Sequence, residues 1–86
     1  MEEGTRRTIP FKIVRRLVLL NRYGDTSLEL NLVSWSGYPA KADLRKWRAG
    51  EDGTMHPLKG VTMNRDELVR LRDAVNAYLG EERKAE

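Results

Sequence analysis

From Leu28 to Trp35 the side chains alternate between two kinds, residue by residue. After the turn Ser36-Gly37-Tyr38-Pro39 the alternation resumes and runs from Ala40 to Arg48. A period of two belongs to an extended strand lying on a surface and is incompatible with a helix, whose faces repeat every ~3.6 residues. Two such strands across a Gly/Pro turn predict an antiparallel pair. On the first, Leu28, Leu30 and Leu32 share a face, expected to be core, and Glu29, Asn31, Val33 and Trp35 share the other. On the second, Ala40, Ala42 and Leu44 fall on the core side, and Lys41, Asp43, Arg45 and Trp47 fall opposite.

The remaining segments extend this sheet. Phe11 to Asn21 is a β-type run that Arg15 and Arg16 interrupt, which predicts a bent or partly exposed strand, and Gly24-Asp25 is the reversal after it. Ala49 to Thr54 forms a loop around Asp52-Gly53. Pro57 to Met63 reads as a short fourth strand, placed at an edge by its proline. The last element is a helix. Asn64 with Glu67 three positions on is a capping-box-like start, and Gly80 is placed to end it. Leu68, Leu71, Ala74, Val75, Tyr78 and Leu79 recur at helical spacing over an arc of about 140°, wider than one sheet needs to cover. A second helix is a candidate for the surplus.

Eighty-six residues make one domain with a thin core, for which a partner subunit would be an advantage. The chain has no cysteine, which excludes disulfides and thiolate metal sites. Its longest unbroken apolar run, Leu17-Val18-Leu19-Leu20, is far short of the ~20 residues of a membrane span. Met1-Glu2-Glu3-Gly4 lacks the apolar stretch of a secretion signal, so a cytoplasmic protein is the expectation. Charge is unevenly placed. Residues 1–63 hold 11 basic and 7 acidic side chains, a net of +4, whereas residues 64–86 hold 5 and 6, a net of −1. The positive charge belongs to the strands.

Nothing in the chain points to catalysis. His56, beside Pro57, has no second histidine or cysteine with which to hold a metal. Glu51-Asp52 before Gly53 is explained by turn chemistry. No phosphate-loop glycine spacing is present, and no serine has an evident base. The chemistry that does stand out is the face carrying Lys41, Arg45 and Trp47, with Trp35 beside it. Cations neutralise phosphates, and flat rings stack on unpaired bases of any kind. Asp43, on the same face, is expected to pair with a neighbouring arginine and set its direction. Arg15, Arg16 and Arg22 either extend the basic groove or guard an edge. The competing reading makes Trp35 a core residue at a strand end, Trp47 half buried under the loop that follows, and the cations ordinary solvated strand residues.

Three segments in order, Leu30-Asn31-Leu32-Val33-Ser34-Trp35, Lys41-Ala42-Asp43-Leu44-Arg45-Lys46-Trp47 and Lys59-Gly60-Val61-Thr62-Met63-Asn64, carry a family resemblance over most of the chain. The chain resembles the single-stranded-DNA-binding domain of the transcriptional coactivator positive cofactor four, in its short bacterial single-domain form. That resemblance implies a homodimer in which each subunit contributes a curved antiparallel sheet to a groove for unpaired DNA, with helices packed across the dimer axis. By position it makes Arg45 and Lys59 DNA contacts, sets Trp35 near a base-stacking aromatic, and matches Trp47 to the aromatic end of the third strand. The basic, serine-rich arm of the eukaryotic members is missing. Tyr38-Pro39 stands where their turn is more basic, which would weaken the grip there.

These readings converge on an α+β domain of ββββα order and dimeric assembly. Residues 1–8 form an arm, residues 9–80 the nucleic-acid-binding domain, and residues 81–86 a charged tail. The expected partner is single-stranded DNA, bound without chemistry, cofactor, metal, membrane or small-molecule substrate. The expected interface is Trp35, Lys41, Arg45, Trp47, Lys59 and Arg48, and the expected role is that of an accessory factor in transcription, replication or repair. The alternatives are RNA on the same surface, or a peptide partner docking on the same basic aromatic face.

Overall fold

A computed structural model describes residues 9–85; the expected arm, residues 1–8, lies outside the described residues. Four strands, β1 (Phe11–Tyr23), β2 (Thr26–Trp35), β3 (Lys41–Ala49) and β4 (Met55–Met63), precede one helix, α1 (Arg65–Ala85). The strands form one antiparallel sheet in the order β1-β2-β3-β4. The α+β, ββββα architecture is as the alternation and capping signals imply.

The sheet coils tightly, and β1 shows how. Its thirteen residues pair with the ten of β2 because Val14, Leu17 and Leu20 are each an extra residue at a register shift. Three bulges in one strand bend it and increase its twist. They also account for the apolar run at Leu17–Leu20, which no longer has to alternate. The consequence appears in the aromatic rings. Trp47 pairs with Ser27, eight residues along β2 from Trp35, a separation of ~26 Å on a flat sheet. The two indoles are nonetheless nearly parallel, at 8°, with centroids 6.5 Å apart. The ring of Phe11, from β1, lies 5.4 Å from Trp35 and 5.2 Å from Trp47.

This coiling displaces most of the expected core, of whose residues only Ala42 is buried. The buried side of β2 is Ser27, Glu29, Asn31 and Val33, whereas Leu28, Leu30 and Leu32 are only half buried. A strongly concave face closes over its own side chains, so even polar groups there lose contact with water; a convex face spreads its leucines apart. The leucine face is the convex one. Val18, Leu30, Leu44 and Val61 stand in a row across all four strands of it.

The capping box forms at the start of α1. The Asn64 N–H donates to Glu67 Oε1 and the Glu67 N–H donates to Asn64 Oδ1, both at 2.8 Å. The helix does not stop at Gly80 but continues to Ala85, taking in much of the expected charged tail. Glycine costs a helix interior ~1 kcal/mol relative to alanine, too little to end it where helical contacts continue. Here Tyr78 Oη donates to Glu82 Oε2 at 2.9 Å, bridging the glycine one turn on. Among the described residues the helix touches only β3 and β4, and Leu71, Val75, Tyr78 and Leu79 are exposed. The chain is accordingly extended, with a radius of gyration of 16.0 Å against ~12 Å for a compact domain of this length.

Candidate nucleic-acid interface

Strand register assigns each candidate residue to a face. Lys41, Asp43, Arg45 and Trp47 of β3 lie opposite Val33, Asn31, Glu29 and Ser27 of β2, so they share the concave face with Trp35. Arg16 and Arg22 of β1 reach the same face through their partners Asn31 and Ser27. Four cations thus stand on one wall.

The two acids of that wall are consumed inside it. Asp43 is fully buried and takes two hydrogen bonds from Arg45, Nε to Oδ1 at 2.7 Å and Nη2 to Oδ2 at 2.9 Å. The indole Nε1 of Trp35 donates to the same Oδ2 at 3.1 Å. Arg45 uses a third N–H, from Nη1, on the Leu58 carbonyl at 2.7 Å, and its guanidinium lies 4.7 Å from the Trp35 ring centre. Asp43 therefore aims the cation, as the sequence suggested, and the Trp35 ring as well. Glu29 is the second acid, 4% exposed. It accepts from Ser27 Oγ at 2.6 Å, from Asn31 Nδ2 at 2.9 Å and from Arg16 Nη1 at 2.8 Å. Burial by itself raises its pKa, but the bonds from Ser27 and Asn31 and the charges of Arg16 and Arg22 outweigh burial and hold the carboxyl below its ordinary value. Beneath the wall lies a layer of carboxylates satisfied by Arg16 and Arg45, and Arg22 and Lys41 remain as an excess of positive charge.

No family model matches the chain. An uncharacterized protein of Treponema pallidum (strain Nichols) is 38% identical to it over 68 residues, which are 78% of this chain and 76% of that protein. The chain belongs to that protein's family. The relative's description carries no activity, so the geometry has to supply the function.

The geometry departs from the expected interface at several residues. Trp47 is completely buried beneath Phe11 and Trp35, so its ring cannot stack on a ligand; the coiling of the sheet that makes the aromatic cluster also encloses it. Its Nε1 and the Oδ1 of Asn31 find no hydrogen-bond partner among the described residues. Arg45 is a positioning residue with a side chain only 14% exposed, because Asp43 and the Leu58 carbonyl hold it. Arg48 pairs with Thr26 and His56, which places it on the convex face, away from the other cations. Lys59 is exposed on the edge strand β4 beside Gly60. Trp35 is half buried and Lys41 is exposed.

Arg16 and Arg22 had no definite role on sequence grounds, and the network around Glu29 was not foreseen. The signal was there: Ser27, Glu29 and Asn31 alternate on one strand face, facing Asp43, Arg45 and Trp47 on the next. Among the described residues no group of His, Cys, Asp or Glu could hold a metal ion, and no helix is long and apolar enough to cross a membrane.

Proposed function

We propose that the chain binds single-stranded nucleic acid on the concave face, with little sequence preference and without chemistry, as a homodimer. The observation that carries this reading is the charge layout of that wall. Arg16, Arg22, Lys41 and Arg45 share it with two acids from the strands, Glu29 and Asp43, which pair with Arg16 and Arg45 and leave Arg22 and Lys41 in excess. Such a wall carries net positive charge and attracts phosphates. The part of Trp35 left open beside Lys41 offers a stacking plane of fixed orientation. Duplex DNA hides its base faces from such a ring.

The homodimer rests on a separate observation. The convex row of Val18, Leu30, Leu44 and Val61 and the exposed stripe of α1 are both apolar, and contiguous apolar surface of this kind marks an interaction site. A second copy supplies the matching sheet and helix.

The test is a titration with oligo-thymidine, read by tryptophan fluorescence. Quenching of the Trp35 signal that reverses with salt is expected, with weaker binding of a matched duplex. Absence of any change at low salt would remove the reading. Quenching by an acidic peptide but not by an oligonucleotide would favour a protein partner, and competition between matched DNA and RNA strands decides which nucleic acid is preferred.

A further inference from the structure

We propose, building on the single-strand reading above, that Tyr38 and Trp35 form a seat for one unpaired base, with Lys41 holding the adjoining phosphate. The turn that joins β2 to β3 sets this up. Ser36 and Gly37 have φ of 53° and 78°, and the Tyr38 N–H donates to the Trp35 carbonyl at 2.9 Å. Two consecutive positive φ values closed by that bond make a type I′ turn, which brings its first and fourth residues, Trp35 and Tyr38, together.

The Tyr38 backbone and the Trp35 ring are fixed from behind. The carbonyl of Tyr38 accepts from Ser34 Oγ at 2.6 Å, and the Ser36 N–H donates to the Pro10 carbonyl at 2.8 Å. Trp35 is tied to Asp43 through its Nε1. A serine in the left-handed region is strained, and this hydrogen bonding holds it there. The outcome is a tyrosine on a rigid backbone whose side chain is nonetheless out in water, 70% exposed. A ring on a backbone already held in place spares the backbone share of the ordering cost when it stacks.

Two hollows adjoin at this point, and Trp35, Tyr38 and Thr62 line both. The smaller, about 150 Å³, is completed by Val33, Pro39 and Lys41; a cavity of about that size admits a single aromatic ring. The larger, about 440 Å³, opens toward Arg45. Apolar walls, two flat rings and an ammonium at the rim match a planar heterocycle joined to a phosphate. The hydroxyl of Thr62 both donates and accepts, so it suits the edge of any base. Neighbouring hollows on either side of one tyrosine suit consecutive nucleotides. Tyr38 thus takes the stacking place that burial denies to Trp47.

The experiment measures fluorescence anisotropy of dye-labelled oligo-thymidine over a range of salt, with wild type, Tyr38→Ala, Tyr38→Phe and Lys41→Ala. Circular dichroism first establishes that the variants fold, which an exposed turn residue favours. Stacking predicts that Tyr38→Phe stays within about twofold of wild type and that Tyr38→Ala binds about tenfold more weakly. The slope of log affinity against log salt should stay unchanged in Tyr38→Ala and fall by roughly 0.7 in Lys41→Ala, as for loss of one phosphate contact on a single strand. Wild-type affinity retained by Tyr38→Ala overturns the seat while leaving single-strand binding intact. A loss in Tyr38→Ala accompanied by a shallower salt slope overturns it too, since the turn would then act through Lys41. Failure of the wild type to bind removes the single-strand reading and the seat together.

Discussion

Arg45 donates to both carboxylate oxygens of Asp43, at 2.7 and 2.9 Å, although the two residues lie only two places apart on one strand. The pairing is possible because residues i and i+2 of a strand share a face, and because the coiled sheet leaves Asp43 no route to water. Removing one member of a buried ion pair leaves the other uncompensated, typically at ~3–5 kcal/mol. Arg45 keeps some solvent access, so Asp43→Asn should fall near the low end, about 3 kcal/mol. Urea unfolding measures this. The near-ultraviolet circular dichroism of Trp35 should weaken as well, since its Nε1 loses the charged acceptor. An unchanged spectrum and midpoint would show that Asp43 does not hold the ring.

Gly60 explains how β4 can approach Arg45 so closely. A Cβ at position 60 would collide with Arg45 Cβ and lie 2.5 Å from the Leu44 carbonyl oxygen and 2.6 Å from Arg45 Cα. Two of these neighbours are backbone and cannot swing aside. Gly60→Ala should therefore destabilise by at least the ~1–3 kcal/mol typical of overpacking, the reverse of the stabilising direction of a Gly→Ala change where space is free. Gly80→Ala is the internal control. Nothing lies within 4 Å of its added Cβ, so in mid-helix it should raise stability by about 0.5–1 kcal/mol. Thermal melts of the two variants should move in opposite directions.

Glu29 makes stability depend on acid. Its folded pKa lies below the ordinary value of 4.5, so the unfolded chain takes up the proton first as pH falls. The contribution is complete above the unfolded value and disappears as pH drops through the folded one. Wild type should lose melting temperature from about pH 4.5 downward, and Glu29→Gln should start lower at neutral pH but decline less steeply. Parallel curves for the two proteins would assign the acid sensitivity to other carboxylates.

Much of the fold was legible in the sequence because alternation and capping are local signals. Leu28 to Trp35 could be only a strand, and Asn64 with Glu67 only a helix start. The burial of each face was not legible, since it depends on curvature. Val14, Leu17 and Leu20 are ordinary apolar residues until β2 supplies a register in which each is one too many. That bend encloses Trp47 and exchanges the expected core for a polar layer. The site was legible in its face assignment of Lys41, Asp43, Arg45 and Trp35, and in the Asp43–Arg45 pairing. It was illegible at Tyr38, because a tyrosine in a Gly/Pro turn shows its value only when the turn type brings it beside Trp35.

The proposed homodimer draws on the same curvature. A convex face with Val61 at 55% exposure and a helix with Val75 at 44% place apolar surface in water on two adjoining elements. Covering them with a second copy would bury the row that crosses all four strands, together with the helical stripe. Wild type should sediment at twice the mass of one chain at micromolar concentration, and its melting temperature should rise with concentration, as for any fold coupled to assembly. Val75→Glu puts a charge into that contact and should shift the protein to the single-chain mass or abolish the concentration dependence. Arg48→Glu, on the convex face but outside the apolar row, should alter assembly far less. A wild-type chain that sediments as one copy, with a melting temperature independent of concentration, would show that this apolar surface does not bring two copies together.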